Sequence, residues 1–339
     1  MKRKGINYDV GTFTTQDSSS RQDFNQAVVE REIAIIKDDL HCTAMRISGQ
    51  DVDRLLFATR CALKQGLEVW FSPTMINATP AETLAYFGEC ARAVEPLRAR
   101  FANVVFVTGA ELTFFMKDLV LGDTPTERMQ TFMKPWRLVK SVIQRGSFEN
   151  NLNRFLENAA RTVREQFKGK LSYASGAWEN VDWSPFDLVG VDYYRDVYTK
   201  KNYIKRLRQY TLTGKPMVIT EFGCCTYAGA EEKGGYGWAI VDRSQNPPRL
   251  KGKHIRSEET QAKLISDALA TFETEKVAGA FVFTFVMPKY PYHADPQFDL
   301  DMASFGIVKS YTDRPGATYP DMPWEPKQAF TALAAIYGQ

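Results

Sequence analysis

Two apolar runs in this chain each end in one glutamate. Val104-Val105-Phe106-Val107-Thr108-Gly109-Ala110-Glu111 and Met217-Val218-Ile219-Thr220-Glu221-Phe222-Gly223 have the composition of short parallel strands buried on both faces. A lone carboxylate at such a strand end is ordinarily the first solvated residue. Two of them suggest more. In a closed (β/α)8 barrel all strand C-termini open onto one face, so Glu111 and Glu221 would meet there although far apart in sequence. Facing carboxyls of this kind can divide acid and nucleophile roles in breaking a glycosidic bond.

The elements that must deliver them can be followed along the chain. Gly5–Asp9 reads as the first strand and carries Asn7. Asp23 to Leu40 reads as its helix, with Val29, Ile33, Ile36 and Leu40 on one face. Ala44–Ser48 is a second strand holding Arg46 in an apolar setting, and Asp51 to Gln65 is the helix after it. Leu67–Pro73, with Trp70, is the third strand. Thr79-Pro80-Ala81-Glu82 is a capping box with proline at the first helical position, and Thr124-Pro125-Thr126-Glu127 repeats that start after an insertion behind the fourth strand. Helices are expected near 128–144 and 151–167. Leu171–Ser175 is the fifth strand, with Trp178 and Glu179 at its end. Phe186–Tyr194, containing Asp192, Tyr193 and Tyr194, is the sixth, followed by a helix over 203–212 and the seventh strand with Glu221. A long loop, 224–256, precedes a helix capped by Ser257, an eighth strand Ala280–Phe285 and a closing helix over 326–337. Eight such alternations predict one α/β domain over 1–339, a single (β/α)8 TIM barrel, with an open doubly wound sheet as the other arrangement.

Composition narrows the chemistry. With 43 basic and 40 acidic residues the formal charge of +3 gives no field for nucleic acid or an anionic membrane, and no stretch is apolar for long enough to span a bilayer. Neither is expected as a partner. The basic Met1–Lys4 start lacks a following apolar segment, and five cysteines without paired spacing fit reduced thiols, so a cytoplasmic protein is expected. Cys224-Cys225 reads as two small buried apolar residues. Gly234-Gly235-Tyr236-Gly237 fits no phosphate-binding fingerprint, and three histidines without an H-x-H or H-E-x-x-H pair supply few metal ligands, so no cofactor is expected. In the 290–301 loop, His293, Asp295, Asp299 and Asp301 suggest a solvated acidic loop, a subsite wall or a cation site.

Glutamates closing strands four and seven resemble the clan of retaining (β/α)8 glycoside hydrolases. Gly109-Ala110-Glu111-Leu112, Leu171-Ser172-Tyr173-Ala174, the Asp187–Tyr194 segment and Gly214-Lys215-Pro216 through Glu221-Phe222-Gly223 look most like glycoside hydrolase family 113, whose known members are β-mannanases. The resemblance spans most of the barrel and is sharpest in its second half. It implies Glu111 as acid/base, Glu221 as nucleophile, Arg46 as the arginine contacting the nucleophile and Tyr194 as the tyrosine beside it, with Tyr193 as the alternative. Asn7, Asp192 and Glu179 join the substrate-binding candidates. Two positions depart from the clan. Ala110 stands where an asparagine usually binds the sugar 2-hydroxyl, and Phe283-Thr284-Phe285 stands where a tryptophan usually stacks on the ring. Stacking then falls to Phe285, Trp178, Trp70 or the long loop.

The activity implied is retaining hydrolysis of an oligosaccharide or glycoside. Arg46 and a tyrosine hydroxyl would keep Glu221 ionised, while burial beside Phe114-Phe115 and a nearby charge would keep Glu111 protonated. The alternatives are a catalytically weakened sugar-binding barrel, a metal-dependent barrel hydrolase or lyase, and an interaction protein in defence or signalling.

Overall fold

The computed structural model describes residues 1–15 and 18–339. Eight parallel strands close a barrel in chain order: β1 (Arg3–Asp9), β2 (Ala44–Gly49), β3 (Glu68–Pro73), β4 (Val104–Ala110), β5 (Lys170–Gly176), β6 (Val189–Asp192), β7 (Met217–Phe222) and β8 (Gly279–Val282). β1 pairs with both β2 and β8, which leaves no free edge. Between them run α1 (Gln26–Asp38), α2 (Val52–Lys64), α3 (Pro80–Phe101), α4 (Leu112–Phe115), α5 (Pro125–Met133), α6 (Pro135–Arg145), α7 (Phe148–Gln166), α8 (Tyr203–Thr211) and α9 (Glu258–Thr274), with α10 (Gln328–Tyr337) closing the chain.

Strand alternation builds two cores. Ile6, Met45, Phe71, Phe106, Val191 and Ile219 point outward and are covered by the helices, whereas Ala44, Trp70, Val105, Val107, Val218 and Phe281 fill the barrel interior. Two residues further along the strands the interior turns polar, with Asn7, Arg46 and Ser72 in neighbouring strands. An apolar plug thus supports a polar floor.

The expected helix starts hold. Thr79 and Glu82 exchange both capping-box hydrogen bonds. Thr124 caps α5, but the Glu127 carboxylate turns to the Asp123 N–H instead of closing a second box. Three boundaries need correction. The helix expected over 128–144 is two helices, because Pro135 has no N–H to continue α5 and its ring excludes the helical conformation at Lys134 (φ −119°, ψ 103°). β6 ends at Asp192, so Tyr193 and Tyr194 lie beyond it, and β8 ends at Val282, so Phe283 and Phe285 lie beyond that.

All five cysteines are free, and Cys224 and Cys225 are buried in a satellite core joining the 224–250 loop to residues 300–305. The 290–301 loop is not a solvated acidic one throughout. Asp299 and Asp301 are buried and pair with Arg256 at 2.9 and 2.7 Å, while Lys327 meets Asp301 at 2.8 Å. Those cations tie the loops after β7 and β8 together.

Candidate active site

Both glutamates are aimed by irregularities in their strands. In β7, Ile219 pairs with Val191 and Glu221 with Asp192, so one extra residue, Thr220, is accommodated. Simple alternation would send Glu221 outward with Ile219; the bulge re-aims it into the mouth. In β4 the register slips between Val107 and Ala110, where Gly109 adopts φ +96°. A side chain at Gly109 would strike Leu112, so the turn depends on glycine. Glu111 itself is left-handed (φ 44°, ψ 45°), which costs a residue with a Cβ about 1–2 kcal/mol.

The turn carrying Glu111 is pinned from β5. Tyr173 Oη accepts the Leu112 N–H at 2.8 Å and donates to Glu179 at 2.8 Å. Glu179 also accepts from the Thr113 N–H at 3.1 Å, the Thr113 hydroxyl at 2.6 Å and the Gly176 N–H at 3.0 Å. Its carboxyl is therefore spent on holding Glu111's helix, and it does not face a substrate.

Glu221 is held on both oxygens. Arg46 donates to Oε1 at 2.7 Å and the Tyr194 hydroxyl to Oε2 at 3.1 Å. Arg46 is buried and fixed in turn by the Ser72 hydroxyl, Asn7 Oδ1 and the Thr220 carbonyl at 3.3–3.4 Å. Asn7 is locked by the carbonyls of Thr220, Phe281 and Val282, to which its amide donates. It positions Arg46; it is not the substrate contact expected. Asp192 Oδ1 accepts from Thr220 at 2.6 Å and lies 3.8 Å from Arg46, while its Oδ2 is buried with no hydrogen-bond partner among the described residues.

One guanidinium thus serves several carboxyls, and they cannot all be charged. Burial pushes Glu111 well above the ordinary carboxylate range, and the charges of Asp192, Glu221 and Glu179 push it further. Its carboxyl makes no hydrogen bond or ion pair among the described residues. Asp192 is raised by burial and then by Glu221, against the opposing effect of Arg46. The arrangement supplies one carboxylate held by two donors and one carboxyl pushed toward its neutral form, the pairing that nucleophilic attack and proton transfer require.

A stability prediction follows from Glu111. A carboxyl raised in the folded state binds its proton more tightly there than in the unfolded chain. Its cost is therefore absent below the unfolded value of about 4.3 and grows as pH rises above it. Glu111→Gln should stabilise the protein at neutral pH by about 0.5–2 kcal/mol and leave it unchanged near pH 4. Thermal unfolding at both pH values checks this; a variant less stable at pH 7 would contradict the burial argument.

Several expected contacts lie elsewhere. Tyr193 turns into the core, where its hydroxyl donates to the Tyr203 carbonyl at 2.5 Å. Trp70 is fully buried inside the barrel against Phe281 with its indole N–H on Glu68, and Phe285 is fully buried against Trp324. Neither offers a face to a sugar. Trp178 remains half-buried near the mouth, stacked on Phe114 at 4.3 Å with its N–H on Thr113. Sequence reasoning passed over Ser72, Thr220, Tyr173 and Tyr236. Tyr236 lies in the 3-10 turn Gly234–Ile240, is 45% exposed, and its hydroxyl is raised by burial and by the charge of Glu111. Its neighbour Gly235 approaches the Tyr194 ring. A glycine-flanked aromatic in a long loop was the one signal pointing to it.

No family model matches the sequence, and no curated protein matches it either. Solved structures do match its shape. A β-1,4-mannanase of glycoside hydrolase family 113 superposes with a TM-score of 0.62, covering 99% of each chain at 13% identity. This chain is similar in fold to the family 113 β-mannanases. The family 113 β-mannanase AaManA from Alicyclobacillus acidocaldarius gives 0.60 over 99% of this chain and 97% of that one, also at 13% identity. The barrel also matches β-glucuronidase 2 of Bacteroides uniformis at 0.58 and 16% identity, over 99% of this chain and 35% of that one. Like these neighbours, it is a closed (β/α)8 barrel. Among its described residues no helix is long and apolar enough to cross a membrane.

Proposed function

We propose that the protein is a retaining glycoside hydrolase acting on an oligosaccharide or glycoside, with Glu221 as nucleophile and Glu111 as acid/base. The observation that carries this reading is the asymmetry between the two strand-end glutamates: Glu221 is bound by Arg46 and Tyr194, whereas Glu111 has no hydrogen-bond partner among the described residues and is pushed toward its neutral form. Glu221 attacks the anomeric carbon while the Glu111 proton passes to the departing oxygen. The glycosyl ester on Glu221 is then attacked by water, whose proton goes to Glu111 as Glu221 leaves. Two inversions give net retention. Asn7, Ser72 and Thr220 act through Arg46, and Glu179 and Tyr173 act through the Glu111 turn; none of these five needs to touch the sugar.

With Trp70 and Phe285 enclosed, Trp178 and Tyr236 offer aromatic surfaces to apolar sugar faces. Ala110 carries no amide for a 2-hydroxyl, so recognition there falls to other groups. Five unpaired thiols agree with a reducing, cytoplasmic setting.

A panel of aryl pyranosides and furanosides, with the first-formed anomer followed by NMR, tests the reading. At least one member should be cleaved with retention. Inversion would reassign Glu221 as a base, and sugar binding without cleavage of any member would favour the weakened binding protein.

A further inference from the structure

The β4–α7 insertion carries a helix whose apolar face is uncovered. α6 presents Trp136, Val139, Val142 and Ile143 to solvent, at 66, 59, 43 and 79% exposure, and Met133 just before it is 71% exposed. On a helical wheel the four α6 residues occupy one stripe, the 0, 3, 6, 7 pattern that normally faces a core. The opposite side is the anchored one. Ser141 Oγ accepts the Leu121 N–H at 3.1 Å, and Arg145 pairs with Asp118 at 2.7 Å. Beneath, the buried Arg128 donates to the Phe114 and Gly122 carbonyls and to Asn77 at 2.6–2.9 Å. The stripe is thus held outward by a fixed base.

Charge says what fits it. No aspartate or glutamate occurs between Arg128 and Phe148, while Arg137 and Lys140 lie beside the stripe, Lys134 stands at the helix N-cap, and Arg137 lies over the Trp136 ring at 6.0 Å. Lys134 and Lys140 are exposed. A second copy docked face to face would set these cations against one another, which opposes self-association. A surface with an apolar interior and an anionic rim satisfies both halves of the helix. We propose that α6 docks the protein onto an anionic lipid surface, with Trp136, Val139 and Ile143 entering the acyl boundary and Lys134 and Lys140 on the headgroups. The small net charge of the chain argued against a membrane partner, but it averages over surfaces that never meet the bilayer. The insertion leaves the barrel directly after Glu111, so docking would hold the site's face near the lipid. The inference stands apart from the glycosidase reading.

Cosedimentation of the full chain tests it, using vesicles of phosphatidylcholine mixed with phosphatidylglycerol and vesicles of phosphatidylcholine alone. Binding is expected to the mixed vesicles only and to weaken with salt. Trp136→Ser with Ile143→Ser should abolish it, and Lys134→Gln and Lys140→Gln should each weaken it about fivefold. These side chains are exposed, so melting temperatures should not change. Three results would overturn the proposal: no binding to the mixed vesicles, binding that survives loss of Trp136 and Ile143, or a solution mass of two chains that falls to one in the Trp136→Ser, Ile143→Ser variant.

Discussion

Glu221→Ala should hydrolyse no glycoside whatever its leaving group, with a loss on the order of a million-fold, because it removes the carboxylate that Arg46 and Tyr194 hold in place. Glu111→Ala should behave differently. On unactivated glycosides it should lose about 10²–10⁴-fold, the usual worth of a positioned proton donor. With a very acidic phenol as leaving group the first step needs no proton, so the glycosyl ester should form and then accumulate, since water lacks its base. Azide needs no base and should restore turnover with retained configuration; azide rescue of Glu221→Ala, from the vacated side, should give inverted product. Product configuration by NMR separates the two roles. Wild-type turnover of unactivated glycosides by Glu111→Ala would make Glu111 a solvated strand-end residue.

Arg46→Ala should be the most damaging change outside the two glutamates. Arg46 is buried and is the guanidinium facing both Glu221 and Asp192, so its loss leaves those carboxyls without their cation. Breaking such a pair from one side costs about 3–5 kcal/mol, and activity should fall with it because Glu221 loses its shorter hydrogen bond. The expectation can be split. Adding Asp192→Asn to Arg46→Ala removes a buried charge and should recover part of the stability but none of the activity. Chemical denaturation of the four proteins in this cycle, with kcat/KM, checks it; recovered activity in the double variant would mean that Arg46 acts only by neutralising Asp192.

Much of this barrel was readable because each strand is a short apolar run and several helices announce themselves by side-chain caps such as Thr79 and Ser257. Arg46 stood out because a charge in an apolar strand needs a partner, and Tyr194 was pointed to by the family resemblance. What was not readable depends on direction. Trp70 and Phe285 are aromatics near strand ends, and only the strand register turns one into the barrel plug and the other outward against Trp324. Glu179 sits at a strand end just as Glu111 does, but the Thr113 and Gly176 N–H groups that consume it come from backbone placed by the fold. The stripe on α6 has the period of a core helix, and sequence carries no mark that nothing packs on it.

As the proposed nucleophile, Glu221 should form a covalent bond to the sugar. Incubation with 2-deoxy-2-fluoro glycosides bearing a good leaving group, chosen from whichever panel members are cleaved, followed by peptide mass spectrometry, tests this most directly. Time-dependent inactivation and one glycosyl adduct on Glu221, absent in Glu221→Ala, are expected. An adduct on Glu111, Glu179 or Asp192, or turnover of the parent glycoside without any adduct, would contradict it.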